Sequence, residues 1–125
     1  MSQMSDEREI IVCLDFDGVI NDYPGWQDEG YTVIFGEPIK GTAEAVAELM
    51  KKYRVIVNSA RCRSQSGTQA IKKYLKKYNI VVDAVVRRKP RADIYLDDRG
   101  VRFEGRWKNS LKAIDTLAEK EMETR

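Results

Sequence analysis

The succession of apolar runs and amphipathic segments in this 125-residue chain predicts an α/β fold, a three-layer α/β/α Rossmann-like parallel sheet. Three observations carry that expectation. Short, continuous apolar runs recur at Ile10 to Leu14, Val55 to Val57 and Ile94 to Leu96, as strands buried on both faces require. Segments of helical period stand between and after them. Each run also ends in polar residues, Asp15, Asn58-Ser59 and Asp97-Asp98, at the strand ends where ligands bind in open α/β sheets.

Strand one is expected over Glu9 to Leu14, after a flexible N-terminus at residues 1–8. Residues 21–40 are rich in turn formers (Pro24, Gly25, Gly30, Gly36, Pro38) around a β-like run, Tyr31 to Phe35, and predict a short hairpin flap. From Gly41 the period changes. Ala43, Val46, Leu49, Met50 and Tyr53 recur at helical spacing, with Thr42 as the N-cap. Strand two follows over Arg54 to Asn58. A helix from Ser66 to Tyr78 presents Ala70, Ile71, Tyr74, Leu75 and Tyr78 as its buried stripe. Strand three lies within Ile80 to Val86 and strand four is Ala92 to Leu96, followed by a short run, Val101 to Phe103. A last helix from Trp107 to Met122 buries Leu111, Ile114, Leu117 and Ala118. Residues 1–125 read as one domain, with no repeat, linker or inserted second unit.

Composition narrows the chemistry. The chain has no histidine, which excludes histidine triads, histidine bases and most zinc sites. A catalyst here has to use carboxylates, Ser, Lys, Arg or a hard metal ion. A net charge of +2 makes no demand for a nucleic-acid partner. Two cysteines are too few for a disulfide framework, and Cys13 reads as a small core residue. The segment Met1 to Glu9 is polar and acidic, and no run approaches the ~20 apolar residues of a membrane span. The expected location is the reducing cytoplasm.

Strand one delivers two carboxylates into a glycine turn, Asp15-Phe16-Asp17-Gly18-Val19. Such an oxygen-rich site suits Mg²⁺, which takes one or two carboxylates together with substrate phosphate. Ser59 ends strand two, Lys89 stands before Pro90 in a basic run, and Asp97-Asp98 end strand four. Two adjacent like charges at a strand end are costly without a cation. Taken in order, these four clusters resemble the motifs of the haloacid dehalogenase (HAD) superfamily, most of whose members are phosphatases.

The resemblance spans Ile10 to Phe103 and implies a set of roles. Asp15 is the nucleophile and forms an aspartyl-phosphate; Asp17 is the general acid and then the general base. Ser59 and Lys89 complete the catalytic set. Mg²⁺ is held by Asp15, the Asp17 backbone carbonyl, and Asp97 or Asp98. Gly18, Ser59, Ala60, Arg61 and Trp26 are expected to contact substrate. The flap would touch the leaving group, with Trp26 as its largest apolar surface. Arg61, Arg63, Arg99 and Arg102 lie near the site, where guanidinium forks suit phosphate as well as local acids. Lys72, Lys73, Lys76 and Lys77 read as the wet face of a helix.

No cap domain fits in the gaps between the motifs, so the site is expected to be open, or closed by a neighbouring subunit in a homo-oligomer. The function implied is Mg²⁺-dependent hydrolysis of a phosphomonoester, on a small molecule or a nucleic-acid end. The alternatives are a mutase-like phosphoryl transferase, and a non-catalytic phosphate- or nucleic-acid-binding protein on the same fold. No membrane partner is expected.

Overall fold

The computed structural model describes residues 7–22, 30, 32–97 and 105–123. Four strands, β1 (Ile11–Leu14), β2 (Arg54–Val57), β3 (Ala84–Val85) and β4 (Ile94–Leu96), form one parallel sheet in the order β3-β2-β1-β4. Three helices accompany it: α1 (Thr42–Lys52), α2 (Gln65–Lys77) and α3 (Trp107–Glu123). A 3₁₀ turn, Ala60–Arg63, connects β2 to α2. None of the described helices is long and apolar enough to cross a membrane.

Strand register assigns the faces. Val12 pairs with Val55 and Ile94, and Leu14 with Val57 and Leu96, so all six project to the same side. Each is buried there, contributing about 1.5–3 kcal/mol per side chain. They share one core cluster with the buried stripes of all three helices: Ala45, Val46 and Leu49 of α1, Ile71, Tyr74 and Leu75 of α2, and Trp107, Ile114 and Ala118 of α3. The opposite face carries Ile11, Cys13, Ile56 and Tyr95, of which only Cys13 is buried. No described helix contributes core residues on that side, where the sequence predicted a second helical layer.

A non-helical crossover links the two sheet edges instead. Val86 donates to the Val57 carbonyl at the carboxyl end of the sheet, and Asp93 donates to the Ile11 carbonyl at the amino end. Residues 87–92 therefore run the height of the sheet. The Tyr95 hydroxyl, on the open face, donates to the Pro90 carbonyl and accepts from the Ala92 N–H. This crossover carries Lys89 to the strand ends.

The helix boundaries follow the predicted ones within a residue or so, and the departures have local causes. Thr42 is not the N-cap of α1. Gly41 takes that position at φ 88°, while the Thr42 hydroxyl donates to the Ile39 carbonyl and accepts from Trp107 Nε1. Leu117 is 38% exposed rather than buried, because Trp107, Leu111, Ile114 and Ala118 form the inward line of α3. Ala70 and Tyr78 are half-buried. In the flap, residues 32–35 form no strand, but its base is paired. Asp22 donates to the Glu37 carbonyl and Ile39 to the Ile20 carbonyl, flanking an antiparallel bridge between Asn21 and Pro38.

Candidate active site

Asp15 and Asp97 follow directly on two neighbouring strands. The Asp15 N–H donates to the Leu96 carbonyl (3.5 Å), which sets the two carboxylates side by side at the carboxyl ends of β1 and β4. Asp15 Oδ1 accepts the Phe16 N–H at 2.8 Å, fixing the carboxylate against its own backbone. Lys89 Nζ stands 3.5 Å from Asp97 Oδ2 and 4.8 Å from the centroid of the Tyr95 ring. Cys13, on the same face one pleat earlier, senses all three groups. Burial pushes its thiol up to about 12; the Lys89 ammonium pulls the other way, and Asp97 and Asp15 add to the rise. It is a buried, protonated floor beneath the charged cluster, not a nucleophile.

Ser59 lies at the end of β2, beside β1, because the Asn58 N–H donates to the Leu14 carbonyl at 3.1 Å. Its Oγ accepts the Arg61 N–H at 3.2 Å and so caps the 3₁₀ turn. A hydroxyl that accepts still has a proton to donate, and capping leaves that donor for a phosphate oxygen. Ala60, next in the turn, is exposed. The Gly18 N–H is spent inside the first turn, on the Asn21 carbonyl at 2.9 Å. Gly18 itself sits at φ 86°, so its glycine serves the turn. Asn58 donates from Nδ2 to the Val86 carbonyl (2.9 Å), anchoring the point where the Lys89 crossover begins.

Asp17 and Arg61 form a second cluster. Arg61 Nε reaches Asp17 Oδ2 at 2.8 Å, a second guanidinium nitrogen reaches Oδ1 at 3.2 Å, and Nη1 donates to the Val33 carbonyl at 3.0 Å. Arg61 is only 3% exposed, so its charge is matched inside the protein rather than by water. The sequence placed Arg61 on the substrate phosphate; the fold places it on the second aspartate and on the returning limb of the flap. Asn21, fully buried, donates to Asp17 Oδ1 (3.2 Å) and to the Phe35 carbonyl (2.8 Å), and accepts from the Tyr74 hydroxyl (2.9 Å). Burial first, then the neighbouring Tyr78, Asp17, Glu37 and Asp22, raises the Tyr74 phenol above its ordinary value and keeps it a donor. Neither Asn21 nor Tyr74 was assigned to the site from sequence. The available signal was an asparagine four residues after Asp17 in an otherwise apolar stretch.

Trp26, Asp98, Arg99 and Arg102 lie outside the described residues, as does the run Val101 to Phe103. The Arg63 side chain is exposed, while its carbonyl accepts from Arg87 at 3.0 Å. Among the described residues, no group of three or more Cys, Asp or Glu could enclose a metal ion. A paired Asp15 and Asp97 nevertheless fit Mg²⁺, which needs only one or two carboxylates and completes its shell with water and phosphate. Comparison with models of known protein families, with curated proteins and with solved structures finds no match to this chain.

Proposed function

We propose that the chain is a Mg²⁺-dependent phosphomonoesterase of the HAD type, working through an aspartyl-phosphate on Asp15. The observation that carries this reading is the meeting of Asp15, Asp97 and Lys89 at adjoining strand ends, with Ser59 on the next strand. Asp15 and Asp97, with the Asp17 carbonyl, would hold the ion, which supplies charge neutralisation to the transferring phosphoryl group. Asp15 attacks phosphorus with its free oxygen while the bond to the leaving oxygen breaks. Lys89 and the Ser59 hydroxyl stabilise the phosphoryl oxygens as charge develops on them. Asp17 gives its proton to the leaving oxygen, then takes one from the water that cleaves the acyl phosphate. Proton delivery requires one Asp17 oxygen to leave its partners, and Oδ1, with two contacts of 3.2 Å, is the one to free.

Hydrolysis is favoured over transfer because the Lys89 side chain is 44% exposed, so water reaches the phosphoenzyme. The same reading carries the three-layer HAD arrangement, of which the described helices supply one outer layer, and a reducing cytoplasm suited to the free Cys13 and Cys62. A panel of phosphomonoesters assayed with Mg²⁺ tests the proposal. Turnover of at least one class is expected, lost on chelation by EDTA and restored by added Mg²⁺. Turnover that persists in excess EDTA, or folded protein inert toward every class, would remove it.

A further inference from the structure

The four lysines of α2 do not act as one wet face. Lys72 and Lys76 border a groove against β3, whereas Lys73 and Lys77 line a different one, of about 850 Å³, on the flap side of the helix. Gln65, Gln69, Lys73 and Lys77 all line this second groove, and their spacing of four makes them a single ridge along α2. Thr32 and Ile34 form the facing wall. Between them, the Val33 carbonyl accepts from Arg61, the same guanidinium that holds Asp17. At its near end, Gln65 directly follows Ser64, the residue joining α2 to the Ala60–Arg63 turn beside Ser59. The groove therefore starts at the acid side of the proposed site and runs away from it, with amides near and ammonium groups far.

Along the helix, Lys73 lies ~12 Å and Lys77 ~18 Å beyond Gln65. A stacked nucleic-acid strand advances ~3.4 Å per nucleotide, so about four nucleotides bring a phosphate level with Lys73 and about five with Lys77. A single phosphate at the catalytic end cannot use either cation. We propose that this groove is the leaving-group subsite and takes a chain of repeated phosphates, such as the end of a single-stranded oligonucleotide. The orientation of the chain rests on the phosphomonoesterase reading; the groove's preference for repeated phosphates does not.

Binding separates the two. Asp15→Asn protein, which blocks turnover, is titrated by fluorescence anisotropy with a labelled hexanucleotide ending in a phosphomonoester. A mononucleotide and inorganic polyphosphate of matching length compete against it. The hexanucleotide should bind at least about tenfold more tightly than the mononucleotide. Adding Lys73→Gln and Lys77→Gln should erase that preference and lower the salt slope by ~1.4, or ~0.7 per phosphate contact in a single strand. Melting temperature should not move, since both side chains are exposed. Competition by polyphosphate assigns recognition to phosphates alone, and its failure adds a nucleotide contribution; either supports the subsite. Equal affinity for the mononucleotide and hexanucleotide, or an unchanged salt slope in the double variant, overturns it. Turnover of a small aryl phosphate by unaltered protein is read separately, so loss of the phosphatase reading leaves the binding result interpretable.

Discussion

A carboxylate that attacks phosphorus must be ionised and held still, and the Phe16 N–H holds Asp15 by one oxygen. An amide at this position still offers a carbonyl to that N–H but cannot attack as an anion. Asp15→Asn should therefore fold with an unchanged melting temperature and lose turnover entirely; substantial activity in the verified variant would dismiss the covalent mechanism. Arg61 makes a different kind of demand. Removing its charge strands Asp17 and the Val33 carbonyl in a site where Arg61 is 3% exposed. Arg61→Met should cost about 2–3 kcal/mol in denaturant unfolding, below the full range for buried pairs because Asp17 keeps 21% of its side-chain exposure. Arg61→Lys, which keeps the charge but not the fork, should lose less. If both variants unfold at the wild-type midpoint, the pair contributes nothing to stability. Asp15, Ser59, Lys89 and Asp97 were legible in the sequence because three of them end apolar runs and the fourth precedes a proline. The Asp17–Arg61 pair was not, since its partners stand 44 positions apart and meet only when β1 and β2 pair.

At the scale of elements, the turn between β2 and α2 depends on how closely the helix approaches it. A Cβ on Gly67 would overlap the Arg61 carbonyl oxygen and crowd Ser64 Oγ, which accepts the Gly67 N–H at 2.9 Å to cap α2. Glycine inside a helix ordinarily costs 0.5–1 kcal/mol against alanine, so substitution at an open site would stabilise. Here Gly67→Ala should instead destabilise by about 2 kcal/mol or more, because the overlap is with backbone that cannot swing away. A melting temperature equal to or above that of the wild type would show that α2 has room to shift. Helical period located α1, α2 and α3 well, since apolar spacing is a local property of the chain. The N-cap of α1 was misplaced because Thr42 is claimed by Trp107 from α3, a tertiary contact that overrides its capping propensity. The flap's hairpin base was legible from its turn residues; that Arg61 and Asn21 would anchor its returning limb was not.

For the molecule as a whole, α1 and α3 are joined at one point by the Tyr53 hydroxyl, which donates to the Asp115 carboxylate beside Lys52. Burial, then the hydrogen bond and charge of Asp115 and the charge of Glu119, raises the Tyr53 phenol above its ordinary 10.0. A raised folded-state value means the folded protein holds a proton that the unfolded chain gives up. The stabilisation is complete below pH 10 and falls as pH climbs above it toward the raised value. Tyr74 behaves alike, so unfolding free energy should decline steadily above about pH 10. Tyr53→Phe should be less stable than wild type at pH 7 and show a shallower alkaline decline; parallel pH profiles would refute the assignment. By itself the sequence determined the alternation of parallel strands and helices, and the polar residues stationed at strand ends, because periodicity and composition act over neighbouring residues. Only the tertiary structure decided that the helices feed one core face, that a bare crossover brings Lys89 to Asp97, and that Arg61 belongs to Asp17. Those outcomes depend on strand order and register, which bring together side chains that no local pattern relates.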